Sequence, residues 1–119
     1  MTDRTGSTDR AKDTALDLDH LGRMTHGDRG LEREVLELFD RQAAMMADRL
    51  RGATAQVALS CAHTLQGSAR GIGAWRLARA AEQVERVAAA EAPDIAAVVA
   101  QLLVAVDEAR SAIARRLVG

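Results

Sequence analysis

The sequence contains few of the residues on which β-sheet and disulfide-bonded proteins depend, and it lacks a long apolar run. Its 119 residues include one cysteine, one proline, one phenylalanine, one tryptophan and no tyrosine. Sandwiches and barrels need many more aromatic and β-branched residues, so this scarcity excludes an all-β fold. A single cysteine excludes an internal disulfide framework and fits a reducing compartment. No apolar run approaches the roughly 20 residues that a membrane span requires.

An excess of charge of one sign is also missing. The 16 basic and 17 acidic residues give a net charge of −1, and every basic residue except Lys12 is arginine. This balance favours neither nucleic acid nor an anionic membrane as a partner. The N-terminal residues are polar and lack the apolar core of a signal peptide. We therefore expect a cytoplasmic protein with no nucleic-acid partner and no membrane partner.

The residues that are abundant favour helices. Alanine, leucine and arginine dominate the sequence, and they lose little side-chain entropy in a helix. Residues 1–15 mix polar residues without a period, which predicts a disordered tail. Residues 16–119 then form one helical domain. The predicted helices, in chain order, cover residues 17–25, 28–51, 54–70, 74–90 and a last helix that begins near Pro93.

The apolar positions of each predicted helix lie on one face, which we expect to be buried. The expected inward residues of the first two helices are Leu18, Leu21 and Met24, then Leu31, Val35, Leu38, Phe39, Met46 and Leu50. Those of the other three are Ala58, Ala62, Leu65 and Ala69; then Leu77, Ala81, Val84 and Val87 or Ala88; then Ile95, Val99, Leu102, Val106, Ala109, Ile113 and Leu117. With short connections, this predicts an antiparallel four-helix bundle with a short extra N-terminal helix.

Signals for helix ends support these boundaries. Gly27 and Gly52 suit helix stops, whereas Asp28 and Thr54 suit N-caps. The run from Gly71 to Gly73 predicts a tight turn between the third and fourth helices.

The most distinctive stretch is AHTLQGSARGIGA, which covers residues 62–74. If Ala62 and Leu65 face the core, His63 lies at the edge of the buried face. Gly67 follows one turn later, in mid-helix, where glycine costs about 1 kcal/mol relative to alanine. That cost is understandable if another molecule must approach the imidazole closely. A neutral imidazole exposes a lone pair and is a competent nucleophile.

This stretch resembles the signature of histidine-containing phosphotransfer (HPt) domains. In that signature a phosphorylatable histidine is followed by x-Leu-Lys-Gly-Ser-Ala/Ser and then by a Gly-Ala pair that opens the next helix. Residues 16–39, LDLDHLGRMTHGDRGLEREVLELF, are similar to the entry helix, Gly-Asp turn and second helix of bacterial members. The family's fold is a four-helix bundle, in agreement with the periodicity.

The resemblance implies a phosphocarrier in a two-component phosphorelay, and not an autonomous enzyme. His63 would accept phosphate from the aspartyl phosphate of a receiver domain and pass it to another receiver. The implied partners are response-regulator receiver domains and a hybrid histidine kinase, with the protein itself a monomer. No intrinsic cofactor or metal is implied, because the receiver supplies the Mg²⁺ site. The partner surface would surround His63, at Leu59, Ser60, Gln66, Gly67 and Arg70.

Two further residues follow from the resemblance. The family usually holds the inner ring nitrogen with an acid or amide on the following helix. Glu82 and Glu85 are both candidates by position, and the resemblance favours Glu85. Gln66 stands where the family commonly has lysine, so a phosphate would lose a charged partner. Hydrogen bonds to charged groups contribute about 1 kcal/mol more than neutral ones, which corresponds to a several-fold slower transfer.

Two alternatives use the same residues differently. A bundle that binds and inhibits a receiver or histidine kinase without carrying phosphate would explain Gln66. A purely structural helical module would leave the mid-helix Gly67 unexplained. Cys61 is expected to be buried and inert, and Trp75 to be a packing residue at the end of the bundle.

Overall fold

The computed structural model describes residues 14–90 and 94–118, and it is all-helical over those ranges. Its helices are α1 (Leu18–Met24), α2 (Arg29–Leu50), α3 (Ala55–Ile72), α4 (Trp75–Ala89) and α5 (Ile95–Val118). The all-α class is therefore confirmed, and the helices pack around one hydrophobic core. Residues 1–13 of the predicted tail, and Pro93, lie outside the described residues.

Side-chain caps fix the starts of the first three helices. Asp17 accepts a hydrogen bond from the backbone N–H of His20, and Asp28 accepts one from Leu31, at 3.1 and 3.0 Å. Thr54 caps α3 by accepting from the backbone N–H of Val57 at 3.3 Å. The predicted caps at residues 28 and 54 are thus confirmed. The glycines that follow α1 and α2, at positions 27 and 52, both have positive φ, as helix stops require.

The core confirms the predicted inner face of α3 and most of those of α4 and α5. Fully buried residues on these helices include Ala58, Ala62, Leu65, Ala69, Leu77, Ala81, Val84, Leu102, Val106, Ala109 and Ile113. The partly buried residues packed against them include Val87, Ile95, Val99 and Leu117. Among the described helices, α3 and α4 make the most extensive contact, which holds the stretch from residue 62 to 72 against α4.

The predicted inner faces of α1 and α2 were partly wrong. Leu18 and Met24 of α1 are about half exposed, because a seven-residue helix laid on the bundle buries one side only, through Leu21. On α2, Leu31 and Leu38 are exposed. Phe39 and Leu50 are buried as predicted, and Val35 and Met46 pack against the core. The buried face of α2 also includes Glu32, Leu36, Ala43 and Ala47, so α2 packs through a row that contains two small residues and not through Leu31 and Leu38.

The turn after α3 is shorter than predicted. Gly71 and Ile72 continue the helix, and only Gly73 leaves it, with φ of 84°. The backbone of Gly73 also contacts the segment that leads into α1, since its carbonyl accepts a hydrogen bond from the Asp17 N–H at 2.9 Å. A Cβ at Gly73 would lie 3.0 Å from the Asp17 Cβ and 3.1 Å from its carbonyl oxygen.

Replacing Gly73 by alanine should therefore destabilise the fold. A left-handed backbone costs a residue with a Cβ about 1–2 kcal/mol, and the contact with Asp17 adds to that cost. We expect urea unfolding of Gly73→Ala to give a free energy of unfolding at least about 2 kcal/mol below wild type. Gly71→Ala is the matched control, because Gly71 has a helical backbone and open space at its Cβ. Equal stability of the two variants would contradict this account of the turn.

A buried ion pair joins α2 to the end of α5. The side chain of Glu32 is 7% exposed, and Arg116 binds it through two hydrogen bonds of 2.7 and 3.1 Å. The hydrogen bonding from Arg116 lowers the pKa of Glu32 despite its burial, which acts in the opposite direction. A carboxyl group whose folded pKa is depressed stabilises the fold above its ordinary value of 4.5, and that contribution is lost as the pH falls.

Stability should therefore decrease from about pH 5 downwards, partly through Glu32. Unfolding by urea between pH 7 and pH 3 should give a flatter pH dependence for Glu32→Gln than for wild type. The variant should also be less stable at pH 7, by about 1–3 kcal/mol, since Arg116 loses its charged partner. In the Glu32→Gln variant, Asp17 still makes the free energy of unfolding depend on pH. Burial tends to raise its pKa, but hydrogen bonds from Trp75 and His20 lower it overall. An unchanged slope in Glu32→Gln would show that this pair does not govern the acid response.

Candidate functional site

His63 is exposed on α3, beside residues that fix the helix in the core. Its neighbour Ala62 is fully buried, as is Leu65, whereas 78% of the His63 side chain is exposed. The ring contacts one polar group: Nδ1 lies 3.2 Å from Oε2 of Glu85 on α4. The Glu85 side chain is 24% exposed, so the carboxylate holds the inner side of the ring while the rest faces solvent.

The contact with Glu85 assigns the ring proton. An ionised carboxylate only accepts hydrogen bonds, so we infer that Nδ1 carries the proton and donates a hydrogen bond to Glu85. In the neutral ring, Nε2 then holds the free lone pair. Within the described residues Nε2 of His63 has no hydrogen-bond partner, so the outer nitrogen is open to an incoming electrophile.

The two acidic residues that the sequence left as candidates have different partners. Glu82 accepts hydrogen bonds from Arg70 and Arg86, both at 3.1 Å, and does not contact the imidazole. Glu85 is the one that contacts His63. Its position one helical turn further along α4 brings it level with the ring.

Gln66 also contacts Glu85. One end of its amide lies 2.5 Å from Oε1 of Glu85, and two oxygens at that distance would repel each other. The amide nitrogen therefore faces Glu85, and the amide oxygen accepts from Nη2 of Arg70 at 3.2 Å. The opposite orientation offers only a longer contact of 3.4 Å with Glu82.

Gly67 lies one turn after His63 on the exposed side of α3. A Cβ built at Gly67 meets nothing within 4 Å, so nothing inside the described part of the chain requires glycine here. The missing side chain leaves the surface next to the imidazole flat.

Comparison with known families gives a match over most of the chain. The model of the Hpt domain matches residues 31–112, a range that contains both His63 and Glu85. This chain belongs to the Hpt domain family. Hpt domains are phosphocarrier modules that interact with receiver domains and kinases in phosphorelays. No curated protein and no solved structure matches the sequence.

The expected partner surface of this Hpt domain combines polar, apolar and charged residues around the histidine. Ser60 is exposed and Leu59 is half-buried, one turn before the ring. Arg70 is 57% exposed, and its guanidinium is bound to Glu82. Beyond it, Arg70, Trp75, Ala78, Arg79 and Glu82 line a shallow cleft between α3 and α4. Sequence spacing alone did not indicate this cleft, because it depends on how α3 and α4 pack.

His20, Trp75 and Cys61 lie outside the site and contact other parts of the bundle. His20 Nε2 lies 3.2 Å from the carbonyl oxygen of Gly71, and its ring packs edge-on against Trp75 at 4.8 Å. Trp75 is half-buried and donates to Asp17 at 2.9 Å, which ties the start of α4 to the segment before α1. Cys61 is buried, and burial raises the pKa of its thiol.

No group of His, Cys, Asp and Glu suited to a metal occurs among residues 14–90 and 94–118. Over the same ranges, no helix is long and apolar enough to cross a bilayer.

Proposed function

We propose that this Hpt domain carries phosphate between two receiver domains of a two-component phosphorelay, on Nε2 of His63. The observation that carries the proposal is the exposed ring whose Nδ1 is bound to Glu85. In the proposed step the Nε2 lone pair forms a bond to phosphorus, and the bond from phosphorus to the aspartyl oxygen breaks. The receiver regains its carboxylate, while the proton stays on Nδ1 and remains hydrogen-bonded to Glu85.

The positive charge that develops on the ring explains the position of Glu85. When Nε2 bonds to phosphorus, the imidazole becomes cationic, and a carboxylate 3.2 Å from Nδ1 stabilises that form. The same hydrogen bond fixes the ring plane, so Nε2 keeps one direction toward the incoming phosphate. Glu85 thus acts as the orienting residue that the family resemblance implied.

The receiver would dock on the exposed face of α3 around the ring. Gly67 offers no side chain there, so a receiver loop could approach within van der Waals distance of the helix. Leu59 and Ser60 provide contacts before the ring, and Arg70 provides a cation beyond it. In this proposal the receiver supplies Mg²⁺, and this chain has no cofactor and is not an enzyme by itself. The chain is a cytoplasmic monomer. Its helices α2–α5 alternate in direction.

Transfer between purified proteins tests the proposal. A receiver domain labelled on its aspartate is mixed with this protein, and an unlabelled second receiver is added later. We expect a label that is acid-labile and base-stable on this protein, followed by its appearance on the second receiver. Receiver binding without any label on wild type or on Gln66→Lys, across several receivers, would contradict the carrier function and favour the inhibitor.

The Gln66→Lys variant distinguishes a slow carrier from an inhibitor in the same assay. If wild type takes up no label and the lysine variant does, the chain is a carrier that is limited at position 66. If neither variant is labelled while both still bind receivers, the inhibitor is the remaining function.

A further inference from the structure

The side chain at position 66 has a place in the network that holds the ring. Glu85 accepts two hydrogen bonds, one per oxygen: Oε2 from Nδ1 of His63, and Oε1 from the Gln66 amide. A carboxylate held at both oxygens cannot rotate without breaking one of these bonds. The orientation of the ring therefore depends on the amide as well as on Glu85.

Arg70 sets the direction of that amide. Its Nη2 donates to the amide oxygen of Gln66 at 3.2 Å, which turns the amide nitrogen toward Glu85. Arg70 is itself held by Glu82 at 3.1 Å, and Glu82 is held by Arg86. Arg70 thus donates to the Gln66 amide, and that amide donates to the Glu85 carboxylate that binds His63.

We propose that Gln66 is a positioning residue, which fixes the Glu85 carboxylate and through it the Nδ1–H form and orientation of His63. Its amide nitrogen donates to Glu85 and its amide oxygen accepts from Arg70, so both polar ends of the side chain are engaged in the network around the ring. An uncharged donor leaves the negative charge of Glu85 unneutralised, so the whole charge acts on His63. The effect on transfer rests on the proposed function, whereas the effect on the ring does not.

The ring itself supplies the first readout. In buffer alkaline enough to keep imidazoles neutral, ¹⁵N NMR of the ring nitrogens reports which nitrogen holds the proton. We expect wild type to show mainly the Nδ1–H form of His63. Gln66→Leu, which removes the donor to Glu85, should move the ring signals toward those of an unrestrained histidine. Gln66→Lys keeps a donor, so it should preserve the wild-type ring form.

A second glutamine offers the matched control. Gln42 on α2 is half-buried like Gln66, and α2 carries neither His63 nor Glu85. Gln42→Leu should leave the ring signals of His63 unchanged. Circular dichroism melts of all variants show whether each is folded, and Gln66→Met replaces Gln66→Leu if the leucine variant is not.

Transfer from a labelled receiver is the second readout. Gln66→Leu should take up phosphate about tenfold more slowly than wild type, which corresponds to about 1.4 kcal/mol, close to the lower end for one hydrogen bond to a charged group. Wild-type ring signals and a wild-type rate in a folded Gln66→Leu would overturn the inference and leave the carrier function standing. A shifted ring in Gln66→Leu, with no label on wild type from any receiver, would support the positioning role while the carrier function failed.

Discussion

Replacing His63 by glutamine is expected to abolish phosphate uptake from a labelled receiver completely. A glutamine amide has a similar reach but no nucleophilic lone pair on its nitrogen, so no bond to phosphorus can form. The fold should be unaffected, because 78% of the His63 side chain is exposed and, within the described residues, its only side-chain hydrogen bond is to Glu85. Autoradiography after mixing with the labelled receiver, together with a thermal melt of the variant, measures both effects.

His26 provides the control for this experiment. It is exposed in the turn after α1 and has a positive φ of 53°, a conformation that asparagine tolerates well. His26→Asn should therefore take up label as wild type does. Residual acid-labile label on His63→Gln, or its loss in His26→Asn, would place the phosphate on a residue other than His63.

Changes at Gly67 should affect stability and transfer in opposite directions. Because a Cβ at this position meets nothing within 4 Å, Gly67→Ala should raise the free energy of unfolding by about 1 kcal/mol, the usual gain for glycine to alanine within a helix. Gly67→Leu projects a larger side chain beside His63, into the space that the receiver needs. We expect the leucine variant to transfer phosphate at least about tenfold more slowly, equivalent to about 1.4 kcal/mol of lost interaction.

A glycine on another helix provides the control that distinguishes an effect on stability from an effect on receiver docking. Gly22 on α1 also has open space at its Cβ and a helical backbone. Gly22→Leu should transfer phosphate at the wild-type rate. If Gly67→Leu transferred at the wild-type rate as well, the receiver would not approach α3 at this point, and the docking surface proposed above would be wrong.

The sequence predicts the elements around His63 well, because the signals there are local. The inner face of α3 contains small and medium apolar residues at helical spacing, and no competing stripe lies beside it. On α2 the prediction was wrong for Leu31 and Leu38, which form an apolar row of their own on the exposed side. Which of two rows is buried depends on how closely the neighbouring helices approach, and periodicity within one helix does not contain that information.

Contacts between helices also limit how much of the site can be predicted from the sequence. The motif around His63 is contiguous, so it can be recognised from the sequence alone. The choice between Glu82 and Glu85 depends on the relative position of α3 and α4, which is a property of their packing. The contact from Gln66 to Glu85 depends further on the rotation of an amide. The pair of Glu32 and Arg116, separated by 84 residues, has no local signal at all.

The central claim is that the outer nitrogen of His63 carries phosphate while the inner nitrogen stays bound to Glu85. Phosphorylating the ¹⁵N-labelled protein with a receiver and recording ³¹P and ring ¹⁵N spectra tests it most directly. The account predicts one phosphohistidine, with phosphorus coupled to Nε2 of His63 and the proton on Nδ1. Phosphorus on Nδ1, on another residue, or on no residue after exposure to several phosphorylated receivers would contradict it.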